Sequence, residues 1–258
     1  ARDMQLVAGP PEDLHPLNVG VLMFSERPER FFRYARIEVA VIPDPTGNGM
    51  TEATFTGPLQ RQLRDALSFI QNTVIREKVF KDPHQAASRR VYNYPLRAVQ
   101  EILANAVYHR SYQVPEPITV RITPEGMEIT SFPGLDRSIS DDDIAERRIR
   151  ARKYRNRRIG DFLKELGLIE GRNTGFPNVY HALATNGSGD LSFESDEGRE
   201  YVSVTIPVHP AFMDVSAKKA VAYETRVRNA LGDGERTLTD LAHAMGYMGI
   251  TKKLSQTV

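Results

Sequence analysis

Cysteine is absent from this chain, which excludes disulfides and thiolate metal sites and fits a reducing cytoplasm. No run of eighteen apolar residues occurs, so nothing in the sequence reads as a membrane span. The first residues, Ala1-Arg2-Asp3-Met4-Gln5, lack the apolar core of a secretory signal. A Walker-type glycine-lysine loop is missing, which argues against a P-loop ATPase and against a P-loop helicase motor. Charge of one sign is also scarce: 34 Lys and Arg stand against 33 Asp and Glu, and a net charge of +1 exerts no global pull on nucleic acid. Neither an internal repeat nor a low-complexity tract is visible.

What is there reads as an ordinary globular chain, its 258 residues giving room for two domains or for one with appendages. Charge is unevenly placed. Asp141-Asp142-Asp143 is followed by a basic block with arginine at 147, 148, 150, 152, 155, 157 and 158 and Lys153 among them. Such a block is either a phosphate-binding surface or a solvated helix face. Residues 19–24 and 36–42 read as strands, and 43–50 as a loop rich in Pro, Gly and Asn. Leu59, Leu63, Ala66, Leu67, Ile70 and Val74 give the period of an amphipathic helix running from 59 to about 80. A polar connection over 81–90 leads to a second helix over 95–110, which Pro95 opens.

Ile118–Thr123 and Met127–Thr130 form a hairpin about Pro124-Glu125-Gly126. Helices are expected at 140–146, 157–166 and 174–184, and closing strands at 191–194 and 201–207. That order predicts an α+β sandwich with helices on one face of a mixed, largely antiparallel sheet. After Pro210 the chain turns helical. Thr237–Met245 and Thr251–Val258 about Gly246–Gly249 have the form of a helix-turn-helix, with Lys252, Lys253 and Gln256 on one side of the second helix.

The chemistry concentrates in Glu101-Ile-Leu-Ala-Asn105-Ala-Val-Tyr-His109-Arg110. Here a carboxylate, a carboxamide and an imidazole stand at i, i+4 and i+8, so the third is rotated only about 80° from the first. Polar groups on one side of an otherwise apolar helix cost free energy unless something satisfies them. A metal-bound nucleotide would do so, with Asn105 offering its amide oxygen to Mg²⁺ and Glu101 poised to orient or deprotonate a water. Caps on neighbouring backbone, or pairing with Arg97 and Arg110, would equally satisfy them.

Several stretches in a fixed order carry a resemblance. Glu101-x-x-x-Asn105-Ala-x-x-His109-Arg110-x-Tyr112 comes first, then Ile129-Thr-Ser-Phe132-Pro133-Gly134. After these come Arg155-Asn156, Phe162-Leu-x-x-Leu166-Gly167-Leu-Ile169-Glu170 and Arg172-x-Thr174-Gly175. Over residues 15–210 the chain resembles the Schlafen/AlbA-domain transcriptional regulators, which carry a divergent GHKL (Bergerat-type) ATPase-like module. The resemblance implies the end of an AlbA-like DNA-binding domain and a connector over 1–58, the ATPase-like domain over 59–212, and a partial winged helix over 213–258. It implies ATP and Mg²⁺ as cofactors, DNA as a partner and a homodimer in the cytoplasm. Residue by residue, Glu101 resembles the general base and Asn105 the Mg²⁺ ligand. His109 and Arg110 would lie beside the triphosphate. Gly134 resembles the first glycine box, and Thr174-Gly175 the second.

Two departures stand out. The residue expected to accept a hydrogen bond from adenine is Phe132, which has no acceptor, and Asn173 stands where the second box usually has glycine. The functions implied are a DNA-binding regulator with an ATP-driven switch, or a regulator in which a degenerate module serves only as a scaffold or dimerisation element.

Overall fold

The computed structural model describes residues 1–81, 88–149, 154–169, 175–213 and 237–240. The chain divides into two compact units, residues 1–212 and 213–258. The first unit begins with two-residue strands β1 (Val7–Ala8) and β2 (His15–Pro16) and helix α1 (Asn18–Phe24). Then come β3 (Ile37–Val41), β4 (Thr51–Phe55), α2 (Leu59–Thr73), β5 (Glu77–Phe80), β6 (Arg89–Tyr92) and α3 (Leu96–His109). The hairpin β7 (Ile118–Ile122) and β8 (Gly126–Ser131) follows, with α4 (Asp141–Ala145), α5 (Arg157–Glu165), α6 (Gly175–Asn186), β9 (Ser192–Glu194) and β10 (Val202–Pro207) completing the unit.

The main sheet has the order β4-β3-β7-β8-β10-β9, with β3 and β7 parallel and every other pair antiparallel. Register explains its two faces. Ile37 pairs with Ile118, Val39 with Val120, Val120 with Ile129, and Ile129 with Val204. Paired residues share a face, so these buried side chains form one apolar layer across the sheet. The opposite face is polar: Thr130 and Ser203 hydroxyls lie 2.7 Å apart, and Ser203 donates to Glu128 at 2.6 Å. Helices α2 and α3 cover the apolar layer. Leu59, Leu63, Ala66 and Ile70 form the buried stripe of α2. In α3 the buried set is wider, Val99, Ile102, Leu103, Ala106 and Val107 among it, because the helix packs on strands and on neighbouring helices.

Three sequence expectations change here. Residues 19–24 are helical, with Leu22 and Met23 buried; an unbroken apolar run without alternation does not separate a short helix from a buried strand. The helix from 59 stops at Thr73, and 77–80 is a strand paired with 89–92. Asn93 fixes that stop. Its Nδ2 donates to the Val74 carbonyl at 2.9 Å and its Oδ1 accepts from the Arg76 N–H at 2.7 Å. Finally, β3 and β4 are hydrogen-bonded into the same sheet as β7–β10, so the boundary expected at 58 falls inside one compact unit. In the second unit, Thr237 caps the turn at 238–240 through a 3.2 Å bond from the Asp240 N–H. The rest of the expected helix-turn-helix, with Lys252, Lys253 and Gln256, lies outside the described residues.

Candidate functional site

Glu101, Asn105, Tyr108 and His109 project from one side of α3 into a cleft of about 680 Å³. Its floor is the sheet, through Ile129, Val202 and Val204. The loop after β8, helix α5 and the start of α6 complete the walls. Glu101 and His109, eight residues apart, place the two ends of the polar stripe about 12 Å from each other along the helix.

At the Glu101 end, the Asn105 Nδ2 donates to Glu101 Oε1 at 3.5 Å. Helix α6 meets this pair at its first residue. A Cβ on Gly175 would overlap Glu101 Oε1 and lie 3.3 Å from Asn105 Nδ2. The α6 N-terminus, with its backbone N–H groups and positive dipole end, thus lies directly against the Glu101 carboxylate and the Asn105 amide. Asn173 and Thr174, the rest of that expected box, lie outside the described residues.

The other end is aromatic. Tyr108 stacks on Tyr154 at a centroid distance of 5.4 Å, and His109 lies 4.5 Å from Tyr108. Burial first, and then the neighbouring Arg155 charge, push the His109 pKa down to about 4, with Asp136 opposing. The imidazole is therefore neutral at neutral pH. Arg155 Nε donates to the His109 carbonyl at 3.1 Å, and Asn156 Nδ2 donates to the Tyr108 and Arg110 carbonyls at 2.9 and 2.7 Å. These two residues close the C-terminus of α3, the end whose carbonyls have no partners within the helix.

Not every expected residue reaches the cleft. Arg110 is only 2% exposed, and its guanidinium donates to the Tyr34 and Glu116 carbonyls at 3.1 and 2.6 Å while lying over the Tyr112 ring. One residue beyond His109 the chain leaves the helix, and its side chain turns inward to tie two loops together. Phe132 also points elsewhere: its ring packs near Tyr201 at 6.4 Å, while Ser131 and Pro133 on either side line the cleft. Gly134 lines it too. Its lack of a side chain is required by the 199–201 backbone, since a Cβ there would sit 2.5 Å from the Tyr201 carbonyl oxygen.

Sequence reasoning missed Tyr108, Tyr154, Asp136 and the whole cleft-facing stripe of α5. That stripe was there to be read: Arg157, Gly160, Asp161 and Lys164 stand at i, i+3, i+4 and i+7. Gly160 packs directly on Tyr108, whose ring a Cβ would overlap.

Residues 116–206, from just before β7 almost to the end of β10, match the family model described as "Putative ATP-dependent DNA helicase recG C-terminal". The match stops short of α3, so the Glu101–Asn105 pair rests on its geometry. A comparison with curated proteins finds no match. Among solved structures, the fold is similar to the crystal structure of the DIP2311 protein from Corynebacterium diphtheriae, with a TM-score of 0.63 and 19% identity over 99% of this chain. The chain spans about half of that protein, 51% of its length. The matched strands and the mixed six-stranded sheet define an ATPase-like α/β module.

Proposed function

We propose that this chain is the nucleotide-binding part of a DNA-binding transcriptional regulator, and that the cleft beneath α3 takes ATP with Mg²⁺ as a switch. The observation that carries the reading is the three-way fit of Glu101, Asn105 and Gly175, which brings a carboxylate, a carboxamide and a helix N-terminus to one end of a cleft. A volume of about 680 Å³ is within the range of small-molecule sites. The donors suit Mg²⁺, a hard cation that uses one or two protein oxygens and completes its shell with phosphates and water. Among the described residues no group of three or more His, Asp or Glu side chains could hold a metal unaided, so phosphate oxygens would complete the site. Asn105 would hold the ion through Oδ1, and bound Mg²⁺ supplies charge neutralisation of the phosphates. Glu101, half-buried beside it, would orient or deprotonate a water. Neutral His109 offers a hydrogen bond without adding charge.

Residues 213–258 would supply a helix-turn-helix contacting DNA through Lys252, Lys253 and Gln256, with the regulator acting as a cytoplasmic homodimer. A second reading, in which the module is a scaffold without turnover, draws on Phe132 and Arg110 lying off the cleft. Phosphate release from Mg-ATP separates the two. The switch reading expects slow release that falls about 100-fold or more in Glu101→Ala while ATP affinity is retained. Equal release by wild type and Glu101→Ala would favour the scaffold.

A further inference from the structure

Helix α5 runs antiparallel to α3 and packs beside it along the cleft. At its start, Asn156 Nδ2 bonds the Tyr108 and Arg110 carbonyls; past its end, the Leu168 carbonyl accepts a 3.4 Å bond from Gln100 Nε2. Gly160 against Tyr108 marks where the two helices touch. Arg157 therefore lies toward the aromatic end, 5.8 Å over the Tyr154 ring, and Lys164 lies two turns away, toward Glu101 and Asn105. The acid on the same stripe, Asp161, pairs with Arg158 at 3.1 Å. Lys164 is in no ion pair among the described residues. Resting on the nucleotide reading, we propose that Lys164 binds the phosphate chain, so that the α5 wall of the cleft selects polyphosphate ligands over nucleosides.

The physical argument is one of charge placement. A triphosphate seated beside Asn105 brings several negative charges next to the Glu101 carboxylate, which repels them. A cation on the α5 wall offsets that repulsion, and Lys164, in no ion pair among the described residues, is available to form a charge-assisted hydrogen bond. The cleft residues at this end that lie on the sheet, such as Ile129 and Val204, carry no charge. The neighbouring arginine at the far end of the stripe is spread over an aromatic ring and sits beside the opposite end of the cleft.

The test is titration of the whole chain with Mg-ATP, inorganic triphosphate with Mg²⁺, and adenosine, for wild type, Lys164→Gln, Lys164→Glu and Lys164→Arg. The expected result is that Lys164→Gln weakens ATP and triphosphate about tenfold, the scale of one charge-assisted hydrogen bond. Lys164→Glu should weaken both further, Lys164→Arg should restore them, and adenosine should bind all four proteins alike. Wild-type affinity for ATP in Lys164→Gln and Lys164→Glu would overturn the role of Lys164 while leaving the nucleotide reading in place. An equal loss for adenosine would also overturn it, by showing a change in the cleft as a whole. Failure of wild type to bind ATP or triphosphate would overturn both readings. Lys164 is exposed, so each variant is expected to fold, and circular dichroism checks this.

Discussion

A carbon atom added at Gly175 would enter the space that Glu101 Oε1 occupies. Gly175→Ala should therefore turn the Glu101 carboxylate away from Asn105 at little cost in stability, and phosphate release from Mg-ATP should fall about tenfold or more. Unchanged release by Gly175→Ala would refute the close fit. Arg110 makes a contrasting case. Arg110→Met should cost about 1–3 kcal/mol through the carbonyls it leaves unpaired, while nucleotide affinity of the folded protein stays at the wild-type level, because the guanidinium faces the Tyr34 and Glu116 loops. His109 carries the pH dependence. Burial holds its folded pKa near 4 against an ordinary 6.5, so the unfolded chain takes up a proton first as pH falls. Stability from this residue is present above about pH 6.5 and is lost between there and pH 4, by at most about 3 kcal/mol. His109→Asn should flatten the chemical-denaturation profile over that interval, and a persisting slope would assign it to other groups.

The elements differ in how far the sequence reveals them. The alternation of Ile118, Val120 and Ile122, and of Val202, Val204 and Ile206, is visible along the chain, and each set lies on the apolar face of the sheet. The Glu101–Asn105–His109 spacing is equally legible, because helical period alone brings i, i+4 and i+8 to one side. What sequence spacing could not show is tertiary. Asn93 ends α2 from twenty residues beyond the helix's last turn, across the β5–β6 hairpin, and nothing local in 59–80 marks that stop. Arg110 looks like a neighbour of His109 until the chain leaves the helix between them. Phe132 occupies the expected position of a base contact, yet its neighbours Ser131 and Pro133 face the cleft in its place. Helix α5 carries a further consequence. Gly160→Leu should separate α5 from Tyr108, disturbing the aromatic end of the cleft; loss of quenching or shift in tyrosine fluorescence would register it, and an unaltered spectrum would argue against contact.

At the scale of the whole molecule, one unit of residues 1–212 contains the sheet and the cleft, and a second unit follows from 213. In the proposed function the first unit takes nucleotide and the second contacts DNA. The protein should then bind DNA with a steep salt dependence, and Lys252→Glu with Lys253→Glu should reduce the salt slope by about 2, the share of two phosphate contacts. DNA affinity indifferent to both the double variant and ionic strength would place DNA binding elsewhere.

In the proposed function Asn105 joins a nucleotide to Mg²⁺ in the cleft beneath α3. Calorimetric titration of ATP into the chain, with and without Mg²⁺, in wild type and Asn105→Ala tests it most directly. The account expects wild type to bind ATP more tightly when Mg²⁺ is present, and Asn105→Ala to show the weak, Mg²⁺-independent affinity of the metal-free titration. Equal ATP affinity in wild type and Asn105→Ala, whatever the Mg²⁺ concentration, would contradict it.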